Sequence, residues 1–156
     1  MTLIQVCQQQ VTLRGSLHGL PMQSRPDYVH LSEYGSYSVD LKTTESLADF
    51  MSDGHPAVWK YGYHVQAAIV RQLLADNGYP GASCYLFVVE KTGAHRRACF
   101  QVPPAYLAWG DRHLSEHVPR LVRCLERDEW PLGPEEIVQL TVPRWVQAEA
   151  PAEVAP

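Results

Sequence analysis

The stretch that decides the fold is Tyr37-Ser38-Val39-Asp40-Leu41-Lys42. Its odd-numbered residues are apolar and its even-numbered residues are polar, and this period of two predicts a β-strand. We expect the apolar face to join the core. The polar face then carries a carboxylate and an ammonium side by side, because Asp40 and Lys42 are two residues apart and point the same way.

The sequence before this strand also predicts extended structure. Residues 3–13 are rich in Val, Ile, Leu, Thr and Gln, and a second extended stretch runs from Met22 to His30. The Gly19-Leu20-Pro21 segment between them indicates a turn. The amino-terminal part of the chain is therefore predicted to supply strands to one sheet.

After the decisive strand the hydrophobic period changes to that of a helix. Apolar residues recur at helical intervals from Pro56 to Asn77, and Asn77-Gly78 is a typical helix end. A nearly continuous apolar run over 83–91 predicts a buried strand, and a further strand ends at Pro103-Pro104. A long second helix follows, in which Pro119 is expected to cause a kink. The order β-β-β-α-β-β-α predicts an α/β sheet with helices packed on it.

Length and composition limit the class of protein. The chain has 156 residues, of which 46% are hydrophobic and 19% charged, with a net charge of −4. We expect one domain over 1–147, irregular from Trp130 to Trp145, and a disordered tail over 148–156. A small basic protein that coats nucleic acid is disfavoured, and the start of the chain indicates neither a leader nor a membrane span, so a cytoplasmic location is expected.

The cysteines give no support for a zinc or redox site. Cys7, Cys84, Cys99 and Cys124 are far apart in the sequence and form no close pair. We expect them to be small buried residues in a reducing compartment.

Two acidic residues and one lysine form the candidate chemical site. Asp27 follows Arg25-Pro26, and Asp40 precedes Lys42 by two residues. Carboxylates on adjacent strands can share a hard cation such as Mg²⁺, and an ammonium beside them can orient water or offset the charge of a phosphate. These parts are sufficient for phosphodiester hydrolysis. The alternative is that Asp27 pairs with Arg25, and Asp40 with Lys42, as surface ion pairs.

Several segments in the same order resemble the PD-(D/E)XK nuclease superfamily, and within it the exodeoxyribonuclease VIII (RecE-like) exonucleases of phage-type recombination. The resemblance covers nearly the whole chain. The segments that carry it are Gly19-Leu20-Pro21, Arg25-Pro26-Asp27, Val39-Asp40-Leu41-Lys42-Thr43-Thr44, Tyr61-Gly62-Tyr63-His64-Val65-Gln66, Cys124 with Asp128-Glu129-Trp130-Pro131, and Leu140-Thr141-Val142-Pro143-Arg144-Trp145.

The resemblance implies a restriction-endonuclease-like core with a mixed central sheet, and it implies roles for single residues. Asp27 and Asp40 would bind the metal ion, Mg²⁺ or Mn²⁺, with the backbone carbonyl of Leu41 as a further ligand. Lys42 would be the catalytic lysine, and Gln66 would lie at the DNA end with Tyr63 one helical turn before it. The implied activity is digestion of linear duplex DNA from a 5′ end, in a homo-oligomer that works with a single-strand annealing protein.

The sequence also departs from the family pattern. A tyrosine that often follows the glutamine by four residues is Val70 here. The helices that usually precede these strands, with a further metal ligand, have no counterpart, and His18 is a weak substitute in a predicted turn. The chain is therefore expected to be a nuclease core, or else a weakly active DNA-binding module or one half of a split enzyme.

The roles of the basic and histidine side chains outside the candidate site are predicted from the sequence pattern alone. Arg25, with Arg96 and Arg97 at a predicted hairpin, is a candidate for binding DNA phosphates. The spacing of His113 and His117 suits a metal grip without an evident third ligand, so we expect a solvated pair. Glu90-Lys91 is interpreted as an ion pair at a strand edge.

Overall fold

The structure is a computed structural model that describes residues 3–52, 56–133 and 136–141. The strands are β1 (Gln8–Gln9), β2 (Leu13–Leu17), β3 (Leu20–Ser24), β4 (Tyr28–His30), β5 (Tyr37–Thr44), β6 (Ser83–Glu90) and β7 (Arg97–Gln101). The helices are α1 (Ala48–Met51), α2 (Pro56–Lys60), α3 (Tyr63–Asp76) and α4 (Pro104–Arg127), and Leu3–Val6 forms a 3₁₀ turn.

Five strands form a mixed central sheet in the order β1-β4-β5-β6-β7. The central pair β5–β6 is parallel, with a register that runs from Tyr37 opposite Ser83 to Thr44 opposite Glu90. The other three pairings are antiparallel. A parallel pair needs a crossover connection, which α1, α2 and α3 supply between β5 and β6. The predicted fold class, an α/β core with a mixed sheet flanked by helices, is confirmed.

A separate two-stranded hairpin, β2–β3, packs against the end of α3. Its two-residue turn has positive φ angles at His18 (48°) and Gly19 (83°), the handedness that tight hairpins prefer. A Cβ atom at Gly15 would clash with the carboxylate of Asp76 and lie 2.8 Å from Leu73 Cδ2, so any other residue would displace these side chains. The backbone N–H of Ser16 donates to Asp76 Oδ2 at 3.1 Å.

Helix α3 is the central helix of the packing. It contacts the sheet through Leu73 and Leu74, which are fully buried. It also contacts α4 so closely that a Cβ on Gly110 would lie 2.5 Å from the backbone oxygen of His64 and 2.7 Å from the Ala68 Cβ. The position of α3 is thus fixed from two sides.

The structure corrects several details of the predicted elements. Residues 3–13 contain the 3₁₀ turn and the two-residue β1 rather than one strand, and the stretch from Met22 to His30 is interrupted between β3 and β4. The predicted helix from Pro56 is two helices, because Gly62 adopts a left-handed conformation (φ 66°) between them. Helix α4 includes Pro119, and the kink there stays a prediction.

The predicted orientation of β5 is wrong in part. Val39 is fully buried as expected, but Leu41 is 43% exposed. Ser38, on the polar face, is buried instead. The reason is that α3 covers the polar face, so both faces of this strand are partly enclosed.

The remaining expectations on organisation have mixed outcomes. Of the cysteines, Cys84 is buried but Cys99 is exposed, contrary to the prediction. Residues 129–133 and 136–141 have no helix or strand, whereas the predicted tail and Trp145 lie outside the described residues. Among the described helices, none combines the length and apolar character needed to cross a bilayer.

Candidate metal and phosphodiester site

The candidate site lies where the polar face of β5 meets α3. Asp40 pairs with Leu86 across the β5–β6 ladder, so both side chains point to the same face. On that face the Cys84 thiol, two residues from Leu86, donates to the backbone oxygen of Ala67 in α3 at 3.4 Å. The polar residues of β5 therefore face the helix that carries Gln66.

Gln66 joins Asp40 and Lys42 in a closed network. Its amide Nε2 donates to Asp40 Oδ1 at 3.0 Å, and its Oε1 accepts from Lys42 Nζ at 2.9 Å. Lys42 also forms an ion pair with Asp40 Oδ2, and the two side chains are only 15% and 19% exposed. The ion pair between Asp40 and Lys42 in the alternative interpretation is therefore present, but it is largely buried and less screened than a surface pair.

Asp27 is fixed beside this network by the backbone. It precedes β4, which pairs antiparallel with β5, and its Oδ2 accepts from the backbone N–H of Leu41 at 2.7 Å. Its own backbone oxygen accepts from Gln10 N at 3.0 Å, and Gln10 O accepts from Arg25 Nε at 3.1 Å. Within the described residues Asp27 has no ion pair with Arg25.

The donor atoms fit a hard divalent ion with open coordination positions. The carboxylate of Asp27 reaches the backbone beside Asp40, and carboxylate oxygens are what Mg²⁺ and Mn²⁺ bind. Asp40 Oδ2 is buried and, apart from the Lys42 ammonium, has no hydrogen-bond partner. The described residues contain no cluster of three or more His, Cys, Asp or Glu side chains. Two carboxylates would leave the other positions to water and phosphate oxygens, as Mg²⁺ sites commonly do.

Tyr63 forms a wall of the site. Lys42 Nζ lies over its ring, 4.4 Å from the centroid, and the ring stacks on Phe50 at 6.1 Å. Burial, followed by the nearby Tyr61 and Asp40, raises the pKa of the Tyr63 phenol. The phenol therefore stays neutral at physiological pH and can donate a hydrogen bond.

The structure brings together Asp27, Asp40, Lys42, Gln66 and Tyr63, but it separates Arg96 and Arg97 from them. Arg96 forms a two-pronged ion pair with Glu90, with contacts of 2.9 and 2.7 Å. Arg97 lies opposite Val89, and Val89 opposite Thr43, so its side chain leaves the sheet on the face opposite to Lys42. Arg96 and Arg97 thus lie apart from the candidate catalytic residues, and their binding of DNA phosphates stays a prediction, whereas Arg25 is exposed next to Asp27.

Glu90 also differs from the sequence interpretation. It is buried and pairs with Arg96 rather than with Lys91, which contacts Glu45 instead. It accepts the backbone N–H of Leu47 at 2.9 Å. The hydrogen bonds from Arg96 and then from Leu47 lower its pKa to about 2. Glu90 thus holds the β6–β7 hairpin to the segment that enters α1.

The histidines of the sequence analysis do not join the site. His18 lies at the tip of the β2–β3 hairpin, the far end of β3 from Asp27. His113 and His117 contact each other through their rings at 5.9 Å, and His113 also contacts the buried His64 at 5.6 Å. The third imidazole was not recognised from the sequence, because α3 and α4 meet only through tertiary packing.

Tyr61 is a neighbour of the site that sequence reasoning left without a role. Its ring lies 5.6 Å from that of Tyr63, and it is 59% exposed. The signal in the sequence was the Tyr61-Gly62-Tyr63 spacing, in which glycine at a helix junction allows the two rings to approach each other.

Comparison with known proteins assigns the fold. Residues 1–141 match the family described as "PDDEXK-like domain of unknown function (DUF3799)". The crystal structure of a "Putative exonuclease" from Eubacterium rectale superposes with a TM-score of 0.68 at 19% identity, covering 90% of this chain and 56% of that one. The crystal structure of SSO0001 superposes with a TM-score of 0.47 at 18% identity, covering 74% of this chain and 50% of that one. Among curated proteins, none matches this sequence.

Proposed function

Because the chain belongs to the PDDEXK-like domain family, we propose that it is a metal-dependent nuclease that hydrolyses phosphodiester bonds of DNA. The observation that carries the proposal is the Asp40–Gln66–Lys42 network with Asp27 beside it. Two carboxylates, an ammonium and an amide at one half-buried place provide what phosphodiester hydrolysis needs.

Each residue of the site has a chemical task in this proposal. Asp27 and Asp40 would hold Mg²⁺, for which Mn²⁺ can substitute, with the Leu41 carbonyl as a further ligand. When bound, the ion would polarise the phosphate and offset its charge. Lys42 has three N–H donors, of which Gln66 accepts one and Asp40 another, and the third can orient the attacking water or bind a phosphate oxygen.

Gln66 keeps the side chains of Asp40 and Lys42 in a fixed position relative to each other. Its amide contacts both charged residues, so a shift of α3 would move Lys42 relative to Asp40. Such positioning lowers the barrier because water and phosphate are brought together in a reactive geometry. Tyr63 closes one side and keeps the ammonium over its ring.

The finer form of the proposal is an exonuclease that digests linear duplex DNA from 5′ to 3′ in phage-type recombination. It is supported by the resemblance of the motif segments to RecE-like exonucleases. It is also supported by the name of the Eubacterium rectale relative, of whose chain this one spans 56%. A cytoplasmic homo-oligomer with a single-strand annealing partner belongs to the same proposal.

The test is digestion of a linear duplex labelled at either the 5′ or the 3′ end. Asp40→Asn should lower turnover by about 10²- to 10⁴-fold, because the metal ion loses an anionic ligand and is held less tightly where the phosphate develops negative charge. Glu116→Gln, an exposed carboxylate on α4, is the matched control and should cleave like the wild type. Equal rates for wild type and Asp40→Asn would refute the proposed activity.

The position of the label and the use of linear or circular DNA test whether the protein is a 5′-to-3′ exonuclease. A 5′-to-3′ exonuclease releases the 5′ label at once and the 3′ label only late, and it leaves closed circular duplex intact. Early release of the 3′ label, or cleavage of the circle, would contradict that direction or mode.

A second candidate function is a DNA-binding or assembly module of low activity, or one half of a split nuclease. It is favoured by the absence of a third acidic or imidazole ligand among the described residues and by the ion pair of Lys42 with Asp40. Calorimetry with Mn²⁺ discriminates the two. Heat that is lost in Asp27→Ala supports the nuclease, whereas no heat in either protein supports the module.

A further inference from the structure

Alternating cationic and aromatic side chains lead out of the site. Lys42 Nζ lies 4.4 Å from the Tyr63 ring centroid, and the rings of Tyr63 and Tyr61 are 5.6 Å apart with a tilt of 30°. Lys60 Nζ then lies 5.2 Å from the Tyr61 centroid. The series begins at the proposed catalytic lysine and ends at exposed groups.

The packing of the fold does not account for the outer half of this series. Tyr63 packs against the core cluster around Phe50, but Tyr61 belongs to none of the buried clusters of the described residues and is 59% exposed. Burying an aromatic ring is favourable, so an exposed one beside a reactive site suggests a ligand that covers it.

The backbone presents Tyr61 through the same turn that positions Gln66. Gly62 has φ 66°, and its oxygen accepts the N–H groups of Val65 and Gln66 at 3.0 and 3.1 Å. Nothing lies within 4 Å of a Cβ built on Gly62, so glycine is needed for the backbone conformation and not for space. The ring of Tyr61 is thus held next to the site by the start of α3.

We propose that Tyr61 and Lys60 form a binding site for an unpaired nucleotide next to the reacting phosphate. The base stacks on the Tyr61 ring, and Lys60 binds the adjoining phosphate. Stacking requires a free base face, which a single strand or a frayed end offers and paired duplex does not. This inference rests on the proposed nuclease function and specifies the form of substrate at that site.

The binding should be independent of sequence and sensitive to salt. Every base has a face that can stack, and loss of one stacking ring weakens binding by about 5- to 150-fold. Each lysine–phosphate contact adds about 0.7 to the slope of log Kd against log salt for single strands.

The experiment measures binding of a fluorescent oligothymidylate and of a blunt duplex of equal length, in EDTA so that no cleavage is required. Tyr61→Ala should weaken single-strand binding by about 5- to 150-fold, with a much smaller effect on the duplex. Tyr61→Phe should bind like the wild type, because the ring and not the hydroxyl makes the contact. Lys60→Gln should reduce the salt slope by about 0.7.

Tyr34→Ala is the control, because Tyr34 is fully exposed in the turn between β4 and β5. It should bind both probes like the wild type. Unchanged single-strand binding in Tyr61→Ala, or equal losses on single strand and duplex, would overturn the inference.

The two proposals can fail separately. If the wild-type protein binds the single strand through Tyr61 but cleaves no DNA, the proposed nuclease activity is refuted and the nucleotide-binding site is retained. If the wild-type protein cleaves duplex DNA but does not bind the single strand, only the nucleotide-binding site is refuted.

Discussion

Gly110 lies where α3 and α4 approach most closely, and replacing it tests the packing that positions the site. In Gly110→Ala the new methyl would lie 2.5 Å from the backbone oxygen of His64 and 2.7 Å from the Ala68 Cβ. Both contacts are shorter than real Cβ atoms tolerate, and neither partner is a flexible chain end. The helices must therefore separate by several tenths of an ångström or more.

The magnitude follows from two opposing effects. Alanine is better than glycine within a helix by about 1 kcal/mol. Overpacking of a well-packed contact costs about 1–3 kcal/mol, and a backbone partner favours the upper end of that range. We expect a net loss of about 2 kcal/mol in the free energy of unfolding. The displacement acts on the turn of α3 that carries Gln66, so DNA cleavage should fall as well.

The assay is urea unfolding followed by far-UV circular dichroism, with the slope m compared between variants. Ser115→Ala, at an exposed position of the same helix, is the matched control and should be as stable as the wild type or slightly more stable. A Gly110→Ala protein as stable as the Ser115→Ala protein would refute the close crossing of the two helices.

The Glu90–Arg96 ion pair gives two further predictions that urea unfolding can measure. Arg96→Gln should lower the urea midpoint, because it removes both guanidinium hydrogen bonds from the buried Glu90 carboxylate, whereas Arg97→Gln should not. Equal midpoints for the two variants would contradict this contrast. Because the pKa of Glu90 falls from its ordinary value of 4.5 to about 2 in the folded protein, its stabilisation is present above about pH 4.5 and is lost as the pH falls toward 2. Glu90→Gln should flatten that part of the stability profile, and an unchanged profile would exclude Glu90 as its source.

Local pattern was sufficient for much of the fold. The alternation in β5, the apolar run of β6 and the helical period of α3 and α4 each predicted an element that exists, since each depends on neighbours along the chain. The break at Gly62 and the short helix α1 were missed. A single glycine is compatible with a continuous helical pattern, and four residues are too few to show a period.

The candidate site was predictable in part for the same reason. The spacing of Asp40 and Lys42 fixes that they share a face, and this holds for any strand. The pattern proposed Asp27 only as a carboxylate on an adjacent strand, and the role of Gln66 came from the resemblance. The contacts of both residues with β5 are long-range. For Arg97 the sequence carried no signal, because its face depends on the register between β6 and β7.

The sequence by itself determined which side chains stand together on a strand and that the strand belongs to a mixed α/β sheet. Only the tertiary structure decided that the polar face of β5 is covered as well, with Asp40 against Gln66, while Leu41 on the apolar face is exposed. The physical reason is that a period of two defines two faces without choosing between them. The choice is made by the packing of α3 between the sheet and α4, which depends on contacts far apart in the chain.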